Sequence, residues 1–289
     1  MLHVFIINVN AGKNNSILLN NVISGYCSNL GINYKIEYVH EKEDTERITN
    51  IYKNWNDVTF YSVGGDGTLN QIINCIAKTN IKLCVIPAGT GNDFYKSLNE
   101  FGGNKVDLGK VNDKYFINVA SIGIDAEIAN TANIIKNKKL IKNLAYPIGI
   151  VKEFFPYKAI EAYINKTKKL ITILTICNAS YYGGGFHIAP EASFNDGLFD
   201  VYEVNNLSKL ETLKLMLKLL KAQHTGDKNV NFYRTNQITI TSDYDLKCNL
   251  DGEIILGNSF DFSIEKEAIT LSNDELKIKE LLKYKKLIK

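Results

Sequence analysis

Proline is scarce in this chain. Its 289 residues hold four, and none is gathered with serine into a linker. The two domains that the length suggests, at about 150 residues each, are therefore expected to pack closely. An excess of one charge is also lacking. Thirty-four Lys and Arg against 31 Asp and Glu leave a net charge of +3, without the strong basic bias of a nucleic-acid binder. The five cysteines, at 27, 75, 84, 177 and 248, form no CxxC pair. An odd, scattered set excludes a disulfide frame and fits cytosolic thiols. His3, His40, His187 and His224 form no HxxxH pair and have no cysteine nearby, which argues against zinc. No apolar run approaches the ~18 residues of a membrane span. Met1 to Asn8 has no basic n-region or cleavage site and reads as a first strand rather than a signal peptide. A soluble, cytoplasmic protein is expected. The 45% hydrophobic and 22% charged residues are those of a globular chain, not of a disordered one or a fibre. No internal repeat is present.

The first hundred residues alternate between strand and helix patterns. Leu2 to Asn8, Asn33 to Val39, Val58 to Val63 and Lys82 to Ile86 read as strands. Helical patterns run to about Asn29, from Glu43 to Lys53 with Thr45 as a cap, and from Leu69 to Ala77. This order indicates an α/β layer with a parallel sheet, whose ligand sits beyond the carboxyl ends of the strands. After about residue 105 the texture becomes mainly β. Tyr115 to Val119, Lys158 to Ile164, Leu170 to Cys177, Phe199 to Val204, Gln237 to Thr241 and Phe260 to Ile264 are rich in β-branched and aromatic residues. Helices are expected over Glu127 to Lys142 and Ser208 to Lys221, the latter capped by Ser208. The expected division is 1–120, an α/β nucleotide-binding domain, and 121–269, a mainly β domain. The tail from Ser272 has a helical pattern and many lysines.

Gly64-Gly65-Asp66-Gly67-Thr68 stands directly between a strand and a helix. Its backbone N–H groups and the helix N-terminus can form an anion site. An aspartate inside a phosphate loop would repel its ligand unless a cation intervenes, so Asp66 implies Mg²⁺. The alternative is a tight strand-to-helix turn. Gly89-Thr90-Gly91-Asn92-Asp93 repeats the arrangement one strand later. Asp93 there can share a metal or a water network with Asp66, or cap the next helix, and the two are not exclusive. The P-loop pattern fails, because Gly12-Lys13 is followed by Asn14. GxGxxG fails too, since Asn70 stands where its last glycine belongs.

These two loops, with Pro87-Ala88 before the second and Phe94 after it, resemble the catalytic region of the soluble diacylglycerol kinase family. The resemblance continues through Val106-Asp107-Leu108-Gly109, Phe116-Ile117-Asn118-Val119-Ala120 and Gly123-Ile124-Asp125-Ala126. It extends to Gly183-Gly184-Gly185-Phe186, Ile188-Ala189-Pro190, Asp196-Gly197-Leu198-Phe199-Asp200 and Leu250-Asp251-Gly252-Glu253. The ordered set is most similar to bacterial soluble lipid kinases. It implies a first domain related to phosphofructokinase and NAD kinase, a β-sandwich domain, ATP between them, and a C-terminal segment, about 270–289, that returns to the first domain.

The resemblance also implies roles. Asn8 and Gly12 match the family's first nucleotide loop, although Val9 replaces its proline, and Thr45 matches a nucleotide-contacting threonine. Gly64, Gly65, Gly67 and Thr68, with Gly91 and Asn92 of the second loop, would bind ATP. Asp66, Asp93 and Asp125 would hold the catalytic Mg²⁺. Glu253 would be the general base that takes the acceptor's proton, with a hairpin turn at Asp251-Gly252 as the alternative reading of that segment. Ser193, Asp196 and Leu198 match a structural Mg²⁺ site, or else a loop turn.

The implied activity is transfer of the γ-phosphate of ATP to a lipid hydroxyl, most simply that of diacylglycerol. A sphingosine- or ceramide-type substrate is a rival; there Asp66 would act as base. NAD kinase and a non-catalytic nucleotide- or lipid-binding protein are further rivals. Partners would be the lipid at the inner membrane face, no nucleic acid, and a second copy of the chain, since relatives are often dimers. Lys209, Lys214, Lys218 and Lys221 share a helix with four leucines. That helix, the lysine-rich tail and Ile135 to Asn143 each offer either an anionic-membrane contact or a solvated amphipathic face.

Overall fold

Continuous apolar runs dominate the first strands. In Leu2–Asn8 (β1) and Val58–Gly64 (β3) the side chains are almost all buried, as a strand covered on both faces requires. The structure, a computed structural model, describes residues 1–9, 16–136, 152–153, 157–219 and 221–272. Within them the chain divides into two compact units.

The first unit comprises residues 1–108 and 266–272. Its other elements are α1 (Ser16–Asn29), β2 (Tyr34–Val39), α2 (Lys42–Tyr52), α3 (Asp66–Ile76), β4 (Lys82–Pro87) and α4 (Asp93–Phe101). β5 (Lys105–Val111) begins in this unit and β15 (Glu253–Leu271) ends in it. The sheet order is β2-β1-β3-β4-β15, and every pairing is parallel. The chain leaves β1 on one side to form β2 and on the other to form β3. The crevice at the carboxyl ends of β1 and β3 is therefore the switch point at which such sheets bind ligands.

The second unit comprises residues 109–265. It holds β6 (Lys114–Phe116), β7 (Val119–Gly123), α5 (Ile124–Lys136), β8 (Ile160–Ile164), β9 (Thr167–Cys177), β10 (Tyr181–Tyr182), β11 (Phe186–His187), β12 (Phe199–Asn205), α6 (Lys209–Leu219), β13 (Asn231–Thr235) and β14 (Gln237–Leu250). Antiparallel pairing runs β13-β12-β9-β7-β14-β15. β8 pairs with the first half of β14, and β7 with the second. An irregularity between Thr241 and Leu246 bends β14 between these neighbours. Phe116, Ile122, Ile164, Leu174, Phe199, Ile240, Leu250 and Phe262 meet in one core, the inner filling of a β sandwich. An α/β first unit and a mainly β second unit agree with the pattern in the sequence.

Several local expectations need correction. Tyr115 to Val119 is not one strand. It breaks at Ile117-Asn118, whose backbone N–H groups donate to the Asp251 carboxylate. Gln237 to Thr241 and Phe260 to Ile264 are only parts of β14 and β15, since polar stretches such as Asp243-Tyr244-Asp245 hide the strand pattern. Thr45 does not cap α2. That helix starts at Lys42, where Asp44 accepts the N–H groups of His40 and Glu41. α3 starts at Asp66, three residues before Leu69. α5 starts at Ile124, and the expected continuation over 137–142 lies outside the described residues. Ser208 does cap α6, in a box with Glu211: each residue's backbone N–H donates to the other's side chain.

Candidate active site

In the first unit, the loops after β3 and β4 interlock through glycine. Gly64 carbonyl oxygen accepts the N–H groups of Ala88 and Gly89. A Cβ on Gly89 would lie 2.4 Å from the Gly65 Cα, and one on Gly64 2.5 Å from the Thr68 Oγ1. Gly89 permits backbone-to-backbone packing on Gly65, and Gly64 makes room for the Thr68 side chain. At Gly67 the corresponding space is open, so in this loop that glycine leaves room for a ligand beside the N-terminus of α3.

Asp66 ties the loops together electrostatically. Its Oδ1 accepts the backbone N–H groups of Asp93 (2.6 Å) and Phe94 (3.4 Å). It therefore caps α4 from 27 residues upstream. Asp93 is not the cap but the first residue of that helix. Asn92, in the left-handed region at φ 55°, closes its own loop by bonding the Gly89 N–H and carbonyl. Asp93 is buried at the N-terminus of α4, with Lys96 Nζ 3.4 Å away. Across the switch point, Asn8 Nδ2 donates to Thr68 Oγ1 at 2.9 Å.

The structure thus brings together Asn8, Gly64, Gly65, Thr68, Asp66, Gly89, Asn92 and Asp93. Thr45 is buried, and its hydroxyl donates to Gln71 on α3. Gly12 lies outside the described residues. The pair Asp66 and Asp93 offers oxygen donors only, which suits Mg²⁺, an ion that keeps several waters. Among the described residues no set of three His, Cys, Asp or Glu side chains converges as a metal site.

In the second unit, β14 and β15 meet in a tight turn. Asp251 (φ 49°) and Gly252 (φ 96°) both occupy positive φ, the Asp-Gly signature of a two-residue hairpin. The Asp251 carboxylate accepts three backbone N–H groups, from Ile117, Asn118 and Val119, at 2.7–3.0 Å. Glu253 follows the turn and pairs with Lys114 at 2.8 Å. Turn and base are thus compatible readings of one segment. A polar chain continues inward: Gly252 N–H donates to Asn249, whose amide donates to Ser121 and to Tyr182, and Ser121 donates to Asp125 at 2.6 Å. Asp125 and the Glu253 turn are positioned by the same network. Asn249, Ser121 and Lys114 carry no signal in the sequence; Asp251 was visible as a turn residue and within the Leu250 to Glu253 segment of the resemblance.

Asp196 sits in a turn of the second unit. Its Oδ1 accepts the Leu198 N–H, while its own N–H donates to the Ser193 carbonyl. A cleft of about 330 Å³ in the same unit is lined by Ile124, Tyr157, Leu170, Leu207 and Thr212, among others. Ile124 directly precedes Asp125.

The model of the diacylglycerol kinase catalytic domain matches residues 3–134, and that of the YegS C-terminal NAD kinase beta sandwich-like domain matches residues 118–272. The chain belongs to the diacylglycerol kinase family. A diacylglycerol kinase of Staphylococcus aureus (strain JH9) is 31% identical over 214 residues, 66% of this chain and 67% of that one. The diacylglycerol kinase of Bacillus subtilis (strain 168) is 28% identical over 212 residues, 66% and 70% of the two chains. A crystal structure from Bacillus anthracis str. Sterne shares the fold, with a TM-score of 0.74, 19% identity and coverage of 93% and 96%. The protein is a kinase with an alcohol acceptor, and family membership implies ATP as donor. No helix among the described residues is long and apolar enough to cross a membrane.

Proposed function

We propose that this kinase transfers the γ-phosphate of ATP to the free hydroxyl of diacylglycerol, giving phosphatidic acid for phospholipid metabolism. The observation that carries the reading is the switch-point constellation: open space at Gly67, at the head of α3, beside the linked Asp66 and Asp93. Backbone N–H groups there suit phosphate oxygens. Gly64, Gly65, Gly67, Thr68, Gly91 and Asn92 bind the nucleotide phosphates, and Asn8 and Gly12 line its first loop. Thr45 instead turns its hydroxyl to Gln71.

Asp66 and Asp93 would hold Mg²⁺, and Asp125 is proposed as a further carboxylate for it. Mg²⁺ would neutralise the phosphate charge, which is most of what phosphoryl transfer requires. Glu253 accepts the hydroxyl proton as the lipid oxygen attacks the γ-phosphorus and ADP departs. Lys114, paired with Glu253 at 2.8 Å, orients its carboxylate. Asp196, with the carbonyls of Ser193 and Leu198, would hold a second, structural Mg²⁺.

The test is phosphorylation with radiolabelled ATP and Mg²⁺, offering diacylglycerol, sphingosine, ceramide and NAD in parallel. Label in diacylglycerol is expected. Glu253→Gln is expected to lower kcat by about 10²–10⁴-fold, the usual contribution of a general base, with an unchanged melting temperature. Label in NAD alone, or in no lipid, would overturn the reading.

A further inference from the structure

Helix α6 buries one face and carries an apolar stripe on the other. Thr212 and Leu215 are buried. Met216 packs on the small core of Ile124 and Ile128, and Leu219 on the core that includes Tyr182, Ile188 and Tyr202. A helix anchored on that side is ordinarily polar on the other. Instead Leu210, Leu213 and Leu217, at i, i+3 and i+7, are 63%, 42% and 54% exposed. Single exposed leucines are common, but three in one row are not. Lys214 and Lys218 lie exposed along the same outer half, and Lys221 just past the helix end. The helix has one acidic residue, Glu211, whose carboxylate is engaged by the Ser208 cap. Lys218 is paired with Asp227, so Lys214 and Lys221 supply more of the outward charge.

We infer that the outer face of α6 is the surface by which this kinase docks on an anionic lipid bilayer. The inference rests on the lipid-kinase reading for the identity of its occupant, since a two-chain acceptor resides in the bilayer. Leucines entering the acyl boundary beside lysines at the headgroups are the combination that interfacial helices use. The same chemistry disfavours a basic partner and leaves a second copy of the chain as the rival occupant.

The full chain is sedimented with vesicles of phosphatidylglycerol and phosphatidylcholine, and with vesicles of phosphatidylcholine alone. Binding to the anionic vesicles is expected to be at least about tenfold tighter and to weaken in high salt. The triple variant Leu210→Ser, Leu213→Ser, Leu217→Ser and the double variant Lys214→Glu, Lys221→Glu are each expected to lose about tenfold or more in that binding. Both keep the wild-type melting temperature and the wild-type rate on a water-soluble short-chain diacylglycerol. Variants that bind anionic vesicles as the wild type does would overturn the inference. So would light scattering that shows a wild-type dimer which the leucine variant dissociates, because the stripe would then be a self-interface. Failure of the wild type to phosphorylate the short-chain lipid would instead strike the kinase reading, and vesicle binding would still decide the docking face.

Discussion

Glycine does two different jobs in one pair of loops, and substitution separates them. Gly89→Ala drives a Cβ to 2.4 Å from the Gly65 Cα, a backbone atom that cannot swing away. Overpacking of this kind costs about 1–3 kcal/mol, so a lower melting temperature and lost ATP binding are expected together. Gly67→Ala meets open space. Its melting temperature should stay near wild type while the KM for ATP rises. His224 offers a pH test at the same scale. It is buried, its Nε2–H donates to the Ile188 carbonyl at 2.7 Å, and its Nδ1 has no hydrogen-bond partner among the described residues. Burial holds its pKa below the usual 6.5. The unfolded chain therefore takes up this proton first as pH falls. The stability from neutral His224 is full above about pH 6.5 and is lost progressively below it, down through the folded-state value. Urea midpoints at pH 7.5 and 5.5 should show this loss, and His224→Gln should reduce the difference between them.

At the scale of elements, the turn joining β14 to β15 anchors more than itself. Asp251→Asn keeps the turn's shape but replaces an anionic acceptor of three backbone N–H groups with a neutral one. Charge-assisted bonds are roughly twice as strong as neutral ones, so a loss of about 2–4 kcal/mol is expected in denaturant unfolding. Activity should fall as well, because Glu253 follows directly and Asn249 links the turn to Ser121 and Asp125. The elements of the first unit were legible because buried parallel strands are unbroken apolar runs, and because glycine clusters mark their ends. The Ser208 cap was legible for the same local reason, since it stands directly before the helix it caps; its partner Glu211 was not read. The Asp66 cap on α4 was not, since the residues it joins are 27 apart. Nor was the break at Ile117-Asn118, which depends on a carboxylate more than 130 positions away. Long-range side-chain-to-backbone bonds leave no periodic signal.

At the scale of the whole chain, β15 makes the first unit depend on residues far from its other segments. The strand starts after the Glu253 turn in the second unit and ends by pairing Thr270 and Leu271 with Lys82 and Leu83 of β4. There Ala268, Ile269 and Leu271 are buried. Lys78 N–H donates to the Ala268 carbonyl, Leu271 N–H to that of Asn104, Ser272 N–H to that of Leu83, and Glu267 N–H to the Asp107 carboxylate. A chain ending at residue 265 would lose all four hydrogen bonds and expose the flank of β4. Burial of Ile269 and Leu271 alone is worth roughly 1.5–3 kcal/mol each. Such a truncation is expected to destabilise the first unit, although that unit's other residues all lie before 109. Limited proteolysis should then cut first within residues 1–108, and Mg²⁺-ATP should no longer raise the melting temperature, as a ligand that binds only the folded state otherwise does. A truncated chain whose residues 1–108 resist protease as the full chain does, and which still gains stability from Mg²⁺-ATP, would show that β4 can close the sheet unaided.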